Sequence, residues 1–578
     1  MESETKICQN CKNEFVVEPD DFDFYEKMKV PPPTWCPECR LRRRLAVRNE
    51  RILYKDNCDM CGKEMLSMYS SASKFKIYCK ACWWSDKWDA INCGLSYDSS
   101  SNLFDQLKIL QNSVPHQNFL HINAENCEFA NFIRDGKGIY LSFSMVSSEN
   151  CFYCKNVDNS KEVLDSFDAT NSNFCYGIIN GNRNYKCMFL ESSDNCMDSA
   201  FLYDCLNCQN CFMCSNLRGK AYHFLNKPVT KDEYKNLIGN LTASNSELQK
   251  LILQFEELKL SSLHKFSRMV NCSSSTGHEI SNARNAQVSF NAYDLENVKN
   301  VFRCIRIKDC HDGDYVGKSE LVYEACSGGM ENSQRLRLSM HGMDSLIDVT
   351  YTDSCTNSSY LFACVGLRNK QYCILNKQYT KEEYEELVPK IIKHMSDMPY
   401  VDKKGRVYKY GEFFPAELSP FAYNETIAQE YFPLTKEHVI EQGYYWKSPE
   451  ERDYRITKRS EDLPDNINDV SDSILGDIIQ CDHNQTCNES CTQAFRIMRE
   501  ELEFYRRMNL PIPRLCPNCR YYYRLKQRNP LKLWHRQCMC TKNHSYHTGK
   551  CHNEFETSYS PDRPEIVYCE SCYNSEVV

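Results

Sequence analysis

The stretch ENCEFANFIRDGKGIYLSFSMVSSENCFYC, residues 125–154, decides the fold. It opens on Glu-Asn-Cys at Glu125 to Cys127, and the same triplet returns at Glu149 to Cys151. Cys175 follows Cys151 by 24 residues, and Cys196 follows Cys175 by 21. A period of 20 to 25 residues with recurring Asn predicts a solenoid. GIYLSF (138–143) and KCMFLES (186–192) read as its short strands. Asn tolerates the left-handed backbone that solenoid corners need. A parallel β-helix fits best, because the LxxLxLxxN spacing of leucine-rich repeats is missing.

A second repeat lies around the first. CMDSAFLYDC (196–205) matches CTNSSYLFAC (355–364), and LRGKAYHFLNKPVTKDEY (217–234) matches LRNKQYCILNKQYTKEEY (367–384) without gaps. The middle of the chain is therefore two related halves. Each half ends on a capping box that starts a helix, Thr230 with Glu233 and Thr380 with Glu383. After the first half, SELQKLILQFEELKLSSLHKF (246–266) places Leu248, Leu251, Ile252, Phe255 and Leu258 on one helical face. This face is expected to pack on the solenoid, with capture of a partner as the alternative. Within the first half, CLNCQNCFMC spaces Cys205, Cys208, Cys211 and Cys214 three apart, like the start of a ferredoxin cluster motif. The matching segment of the second half, ACVGLRNK (363–370), omits that run. Small buried residues at a solenoid corner are therefore the preferred reading, over an iron–sulfur cluster or another metal site.

The ends of the chain differ from the middle. The chain holds 36 cysteines in 578 residues, and eight of them precede residue 90. Those eight form four CxxC knuckles: Cys8/Cys11, Cys36/Cys39, Cys58/Cys61 and Cys79/Cys82. A CxxC turn aims two thiolates at one ion, and two turns complete a closed Cys₄ zinc site. Sequential pairing is the simplest. The C-terminal end repeats the plan at a constant offset. FYEKMKVPPPTWCPECRLRRR (24–44) aligns with FYRRMNLPIPRLCPNCRYYYR (504–524) with ten identities and no gap. The second set of ligands is then Cys487, Cys491, Cys516, Cys519, Cys538 or Cys540, Cys551, Cys569 and Cys572, with a histidine-rich loop (539–550) splitting one knuckle. Cys481 stays unassigned; His544 and His547 could bind metal, with a solvated loop as the preferred reading. About four structural zinc ions are expected.

The order CxxC-x-x-EF, FY and P-x-x-CPxCRxxRR resembles the probable zinc-ribbon domain, treble-clef-like, of many uncharacterised bacterial proteins. YCKACWWSDKWDA (78–90), GEFFPAELSPFAYNET (411–426) and CHNEFETSYSPDRPEIVYCESC (551–572) extend the resemblance to one such family over essentially the full length. Members sometimes carry a CoA-transferase label. This chain has no long βα alternation and no nucleotide-type glycine loop, so the resemblance implies an architecture and no activity.

A basic helix follows each second knuckle. Arg40, Arg42, Arg43, Arg44, Arg48 and Arg51 lie in RLRRRLAVRNER, and Arg520, Arg524, Lys526 and Arg528 lie in RYYYRLKQRNPLK beside three tyrosines. Basic residues interleaved with aromatics are a common way to meet phosphate and stack on bases. These ten side chains are the candidate contacts to RNA or DNA. The competing expectation is that they neutralise the dianionic metal site or pair with nearby acids.

The expected fold is multidomain and mainly β: a parallel β-helix-like solenoid in two related halves, flanked by paired Cys₄ zinc-ribbon modules, with helical insertions. The expected boundaries are 1–92 zinc module, 93–228 first solenoid half, 229–270 helical insertion, 271–378 second half, 379–395 helix, 396–478 extended strap and 479–578 second zinc module. The net charge of −8 is mild. No run of about 18 apolar residues suggests a membrane span. The start of the chain lacks a secretory pattern, which with paired cysteines points to the cytoplasm. The functional expectation is a non-catalytic scaffold that meets nucleic acid or a nucleoprotein. A scaffold binding only protein is the alternative. A carbohydrate-active β-helix using Asp165, Asp168, Asp194 and Asp198 in a groove is a third reading, with fold analogy alone behind it.

Overall fold

The computed structural model describes residues 2–238, 242–448, 454–484, 486, 487 and 489–577. Residues 239–241 of the expected helical insertion and 449–453 of the expected strap lie outside that set. The chain is mainly β and divides into two compact units. The first comprises Met1–His121, Ser267–Ser448 and Leu531–Leu533. The second comprises Ile122–Phe266, Pro449–Pro530 and Trp534–Val578. The N-terminal cysteine module thus shares a unit with the second solenoid half, and the C-terminal module with the first. Among the described residues no helix is long and apolar enough to cross a membrane.

The solenoid coil is shorter than the expected 20 to 25 residues. Glu125 pairs in parallel with Lys137, Lys137 with Glu149, and Glu149 with Lys161, so one coil takes twelve residues. The two Glu-Asn-Cys triplets sit two coils apart. Within a coil the backbone repeats every three residues. Asn150, Tyr153, Asn156, Asn159, Glu162, Asp165 and Asp168 all adopt positive φ, and the same spacing runs from Asn123 onward. Four such triplets close each coil. Non-glycine residues avoid this region, and bulky ones most of all, so each aromatic corner is held by the ladder on either side.

The residue after each left-handed corner fills the interior. Ala130, Ile133, Ile139, Met145, Cys151, Cys154, Val157, Val163, Ala169, Cys175 and Ile178 occupy this position and are buried. The bore is narrow, so Cys, Ser, Ala and Gly alternate with branched aliphatics. Its polar members are satisfied by the backbone. Ser148 Oγ lies 2.9 Å from Val146 O and 3.0 Å from Val157 O. Cys154 Sγ lies 3.3 Å from Phe152 O and 3.2 Å from Val163 O. Cys205, Cys208, Cys211 and Cys214 take the same four inward positions of one coil, each donating to carbonyls. Their spacing of three is the triplet of the fold.

The second half uses the same coil with slips. Tyr293 pairs with Ile305 and Leu346 with Ser358, twelve apart, while Ser319 pairs with Ser333 and Gln334 with Ile347, fourteen and thirteen apart. Each half stops at an antiparallel hairpin, Ala221–Phe224 with Lys227–Pro228 and Gln371–Ile374 with Lys377–Gln378. Both expected capping boxes form: Glu233 N donates to Thr230 Oγ1 at 3.2 Å, and Glu383 N to Thr380 Oγ1 at 3.2 Å. The helix Asn245–Ser261 buries Leu248, Leu251 and Phe255. Phe255 meets Phe201 of the solenoid edge-on at 5.6 Å. In the first unit the strap carries buried Phe413 and Phe414, and a Cβ on Gly411 would lie 2.6 Å from the Pro31 ring.

Candidate metal centres and the helices that dock them

Each module begins with a two-stranded hairpin. In the first module Glu4–Ile7 pairs with Glu14–Val17. The helix Pro19–Met28 follows and ends on Lys29 at φ 56°. The equivalent helix Arg499–Met508 ends on Asn509 at φ 54°. The prolines that follow return the chain to the second knuckle, where Cys36 and Cys516 cap the helices Pro37–Leu45 and Pro517–Lys526.

The knuckles meet in sequential pairs. Four tetrads form: Cys8, Cys11, Cys36 and Cys39; Cys58, Cys61, Cys79 and Cys82; Cys481, Cys491, Cys516 and Cys519; and Cys538, Cys551, Cys569 and Cys572. In each tetrad the ligand atoms lie within 4.8 Å of one another. One contact recurs in all four. The third cysteine's backbone N–H donates to the first cysteine's sulfur, at 3.2 Å from Cys36 to Cys8, 3.3 Å from Cys79 to Cys58, 3.2 Å from Cys516 to Cys481 and 3.2 Å from Cys569 to Cys538. Such donors stabilise thiolate charge. The 36 cysteines are unbridged.

One ligand assignment changes, and one open choice is resolved. Cys481, unassigned from sequence, takes the position given to Cys487. Its N–H donates to Gln493 O at 2.7 Å, as the Cys8 N–H donates to Asn13 O at 2.8 Å, so the two cysteines start equivalent turns. The residues between Cys481 and Cys491 are an insertion within the knuckle. Cys487 sits beside the tetrad, its sulfur 3.7 Å from that of Cys519. Constant offset from Cys11 found Cys491 but could not see past this insertion to Cys481. In the last tetrad Cys538 is the member, while Cys540 groups with His544, His547 and Cys572.

The basic helices turn inward. Arg40 Nη2 lies 2.8 Å from Asp312 Oδ2, Arg43 Nη2 lies 3.0 Å from Glu324 Oε1, and Arg44 Nε lies 2.6 Å from Asp314 Oδ2. Arg43 also reaches Glu412 at 3.1 Å and stacks over Trp35 at 4.4 Å. Arg48 pairs with Glu50 at 2.6 Å and covers Tyr315 at 3.8 Å. In the other unit Arg520 and Arg524 both bind Asp165, the latter at 2.7 Å, and Arg528 binds Asp168 at 2.9 Å. Arg520 stacks over Tyr153 at 4.4 Å and Arg528 over Phe167 at 4.2 Å. Arg40, Arg44 and Arg48, like Arg520, Arg524 and Arg528, are four apart and share one side of their segment. An aromatic contact repeats beside each set: Tyr25 meets Tyr323 at 5.5 Å, and Tyr505 meets Tyr176 at 6.0 Å.

This corrects the expectation that these arginines face phosphate. Arg40, Arg43, Arg44, Arg48, Arg520, Arg524 and Arg528 are buried against solenoid or neighbouring carboxylates. Arg42 pairs with Glu38 at 3.1 Å, and Arg51 lies 3.8 Å from Glu430. Lys526 pairs with Glu489 and is the one side chain of the ten that is well exposed, at 67%. The reason is charge compensation: a buried guanidinium needs a carboxylate, which the solenoid supplies to Arg40, Arg43, Arg44, Arg520, Arg524 and Arg528 and the module's own Glu50 supplies to Arg48. Asp314 is buried so completely that its carboxyl is pushed up to about 6 despite Arg44 beside it. Burial likewise raises Glu324 and Glu501.

The four aspartates of the third reading do not line one groove. Asp165 and Asp168 are consumed by the arginines. Asp194 accepts from Asn182 N at 2.8 Å, and Asp198 pairs with Lys186 at 2.9 Å. A cavity of about 530 Å³ lies in the second unit between the solenoid, the helix Asn245–Ser261 and the arginine helix, lined by Tyr176, Phe189, Leu248, Ile512 and Arg520. The chain matches no protein-family model and no curated protein.

Proposed function

We propose that the chain is a non-catalytic scaffold whose four tetrads hold structural zinc and whose solenoids present a surface to a protein partner. The observation that carries this is the pairing of closed Cys₄ sets with inward-facing arginines. Four thiolates fill the tetrahedron of Zn²⁺ and leave no position for a substrate or an activated water. Thiolate ligands suit zinc over the hard divalent ions. The arginines that would have gripped phosphate instead clamp each module to its solenoid. The resemblance to zinc-ribbon proteins agrees with this reading.

A protein partner is favoured over nucleic acid by what is left on the outside. Tyr185 and Met197 stack one coil apart and are 49% and 42% exposed. Leu206, which stacks on Asp194 one triplet away from that ladder, is 40% exposed. Metal analysis and binding under salt titration test the proposal together. Zinc should copurify, and chelation should unfold the modules. Mixed RNA and DNA should show no steep salt-dependent binding. A fall in log affinity of roughly 0.9 per phosphate contact against log salt would restore nucleic acid as the partner. A chain that folds unchanged without metal would remove the zinc scaffold.

A further inference from the structure

We propose that the last knuckle holds two zinc ions bridged by the Cys572 thiolate. This rests on the reading that the cysteine tetrads bind zinc. Cys572 belongs to two donor sets at once, the tetrad with Cys538, Cys551 and Cys569, and a second set with Cys540, His544 and His547. Two four-coordinate ions sharing one ligand need seven donors, and these residues supply seven. Cys540 Sγ lies 3.3 Å from His544 Nε2, and His547 Nε2 lies 3.2 Å from Cys572 Sγ.

The loop carrying these donors is built, contrary to the solvated loop expected from sequence. His544 and His547 pair across a hairpin, with His544 N donating to His547 O at 2.9 Å. Cys551 N donates to Cys540 O at 2.9 Å and closes its base. Gly549 N donates to Asn543 Oδ1 at 2.8 Å. Lys542 pairs with Glu576, and the Tyr546 hydroxyl lies 3.1 Å from Ser575 Oγ, so the hairpin is fastened to the helix Glu570–Val577. His547 Nδ1 is buried and has no hydrogen-bond partner.

Charge also favours the pair. One Zn²⁺ on four thiolates is formally dianionic. Two Zn²⁺ on five thiolates and two neutral imidazoles carry a single negative charge, which is cheaper to bury. Bridging loses no donor, because a thiolate has more than one lone pair. The N-terminal copy supplies an internal control. Cys58 and Cys61 are separated by two residues, with no inserted hairpin, and their tetrad has donors for one ion.

The test is metal content of the full-length chain by mass spectrometry, against His544→Asn/His547→Asn and, separately, Cys540→Ser. Each variant should carry one zinc fewer than the parent with unchanged circular dichroism. Cys61→Ser, as a calibration, should also lose one. The Co²⁺-substituted parent needs no mutation: two ions on a shared thiolate couple magnetically, so part of its spin signal should be missing and should return in the variants. Equal metal content in parent and variants would overturn the bridged pair, and so would a full uncoupled Co²⁺ signal in the parent. Absence of zinc from every protein would overturn the scaffold reading itself.

Discussion

Most cysteines in this chain either line the solenoid bore or belong to a tetrad, and neighbours decide which. Cys154 points into the solenoid bore and donates to two carbonyls, a task a hydroxyl performs as well at Ser148. Cys516 sits among three other thiols, where the proposed zinc would need a thiolate. Cys154→Ser should therefore cost about 1 kcal/mol and leave zinc content unchanged. Cys516→Ser should lose one ion and the order of its module. Urea denaturation with parallel metal analysis separates the two, and loss of zinc from the Cys154 variant would sink the distinction. The arginines divide similarly. Arg44→Ala strands Asp314 and part of Asp312 in a dry interface and should cost about 3–5 kcal/mol. Lys526→Ala removes an exposed pair and should cost well under 1 kcal/mol.

At the scale of elements, the solenoid was legible as a class and misread in its repeat. Glu-Asn-Cys is conspicuous only in alternate coils, so the eye counts two coils as one. The triplet underneath is carried by backbone, and its corners include Phe129, Phe132, Leu141 and Tyr153, which no propensity assigns to a left-handed turn. Inward positions accept Cys, Ser, Ala, Val or Ile equally, so their period of three has weak contrast. The helix Asn245–Ser261 and the capping boxes were legible because their signals are local. The arginine helix was visible as a helix, but its acids lie far away in sequence, on coils no pairing rule assigns to it. The corners give a test. Asn150, at φ 52°, gains nothing from a Cβ there. Asn150→Ala should cost about 1–2 kcal/mol and Asn150→Gly far less. Equal losses in thermal denaturation would show that the Asn side chain, not the backbone conformation, is what the corner needs.

At the scale of the molecule, each unit seats a cysteine module on a solenoid half through arginine–carboxylate contacts, and each also buries a histidine among aromatic rings. His311 stacks on Phe24 at 3.8 Å, facing Tyr25, Asp21, Asp312, Lys299 and Arg40. His264 meets Tyr203 at 5.0 Å and Tyr559 at 5.3 Å, facing Glu565, Lys259 and Arg563. Burial lowers both from 6.5 to about 4, outweighing the nearby carboxylates. A depressed histidine value means the fold holds the neutral form. Its stabilising share is complete above pH 6.5 and is lost as pH falls toward 4. Each such shift corresponds to about 3 kcal/mol over that window. Asp314 runs the other way: its carboxyl, raised from 3.8 to about 6, favours the fold in the protonated form, and that share fades as pH rises through 6. Glu324 and Glu501, which burial also raises, act in the same sense as Asp314. His311→Phe keeps the stack on Phe24 and removes the proton site. Its denaturation midpoint, followed from pH 7 to 5 with zinc release monitored alongside, should fall less steeply than that of the parent. Parallel profiles would mean that thiolate protonation and metal loss, and not His311, set the acid limit of the first unit.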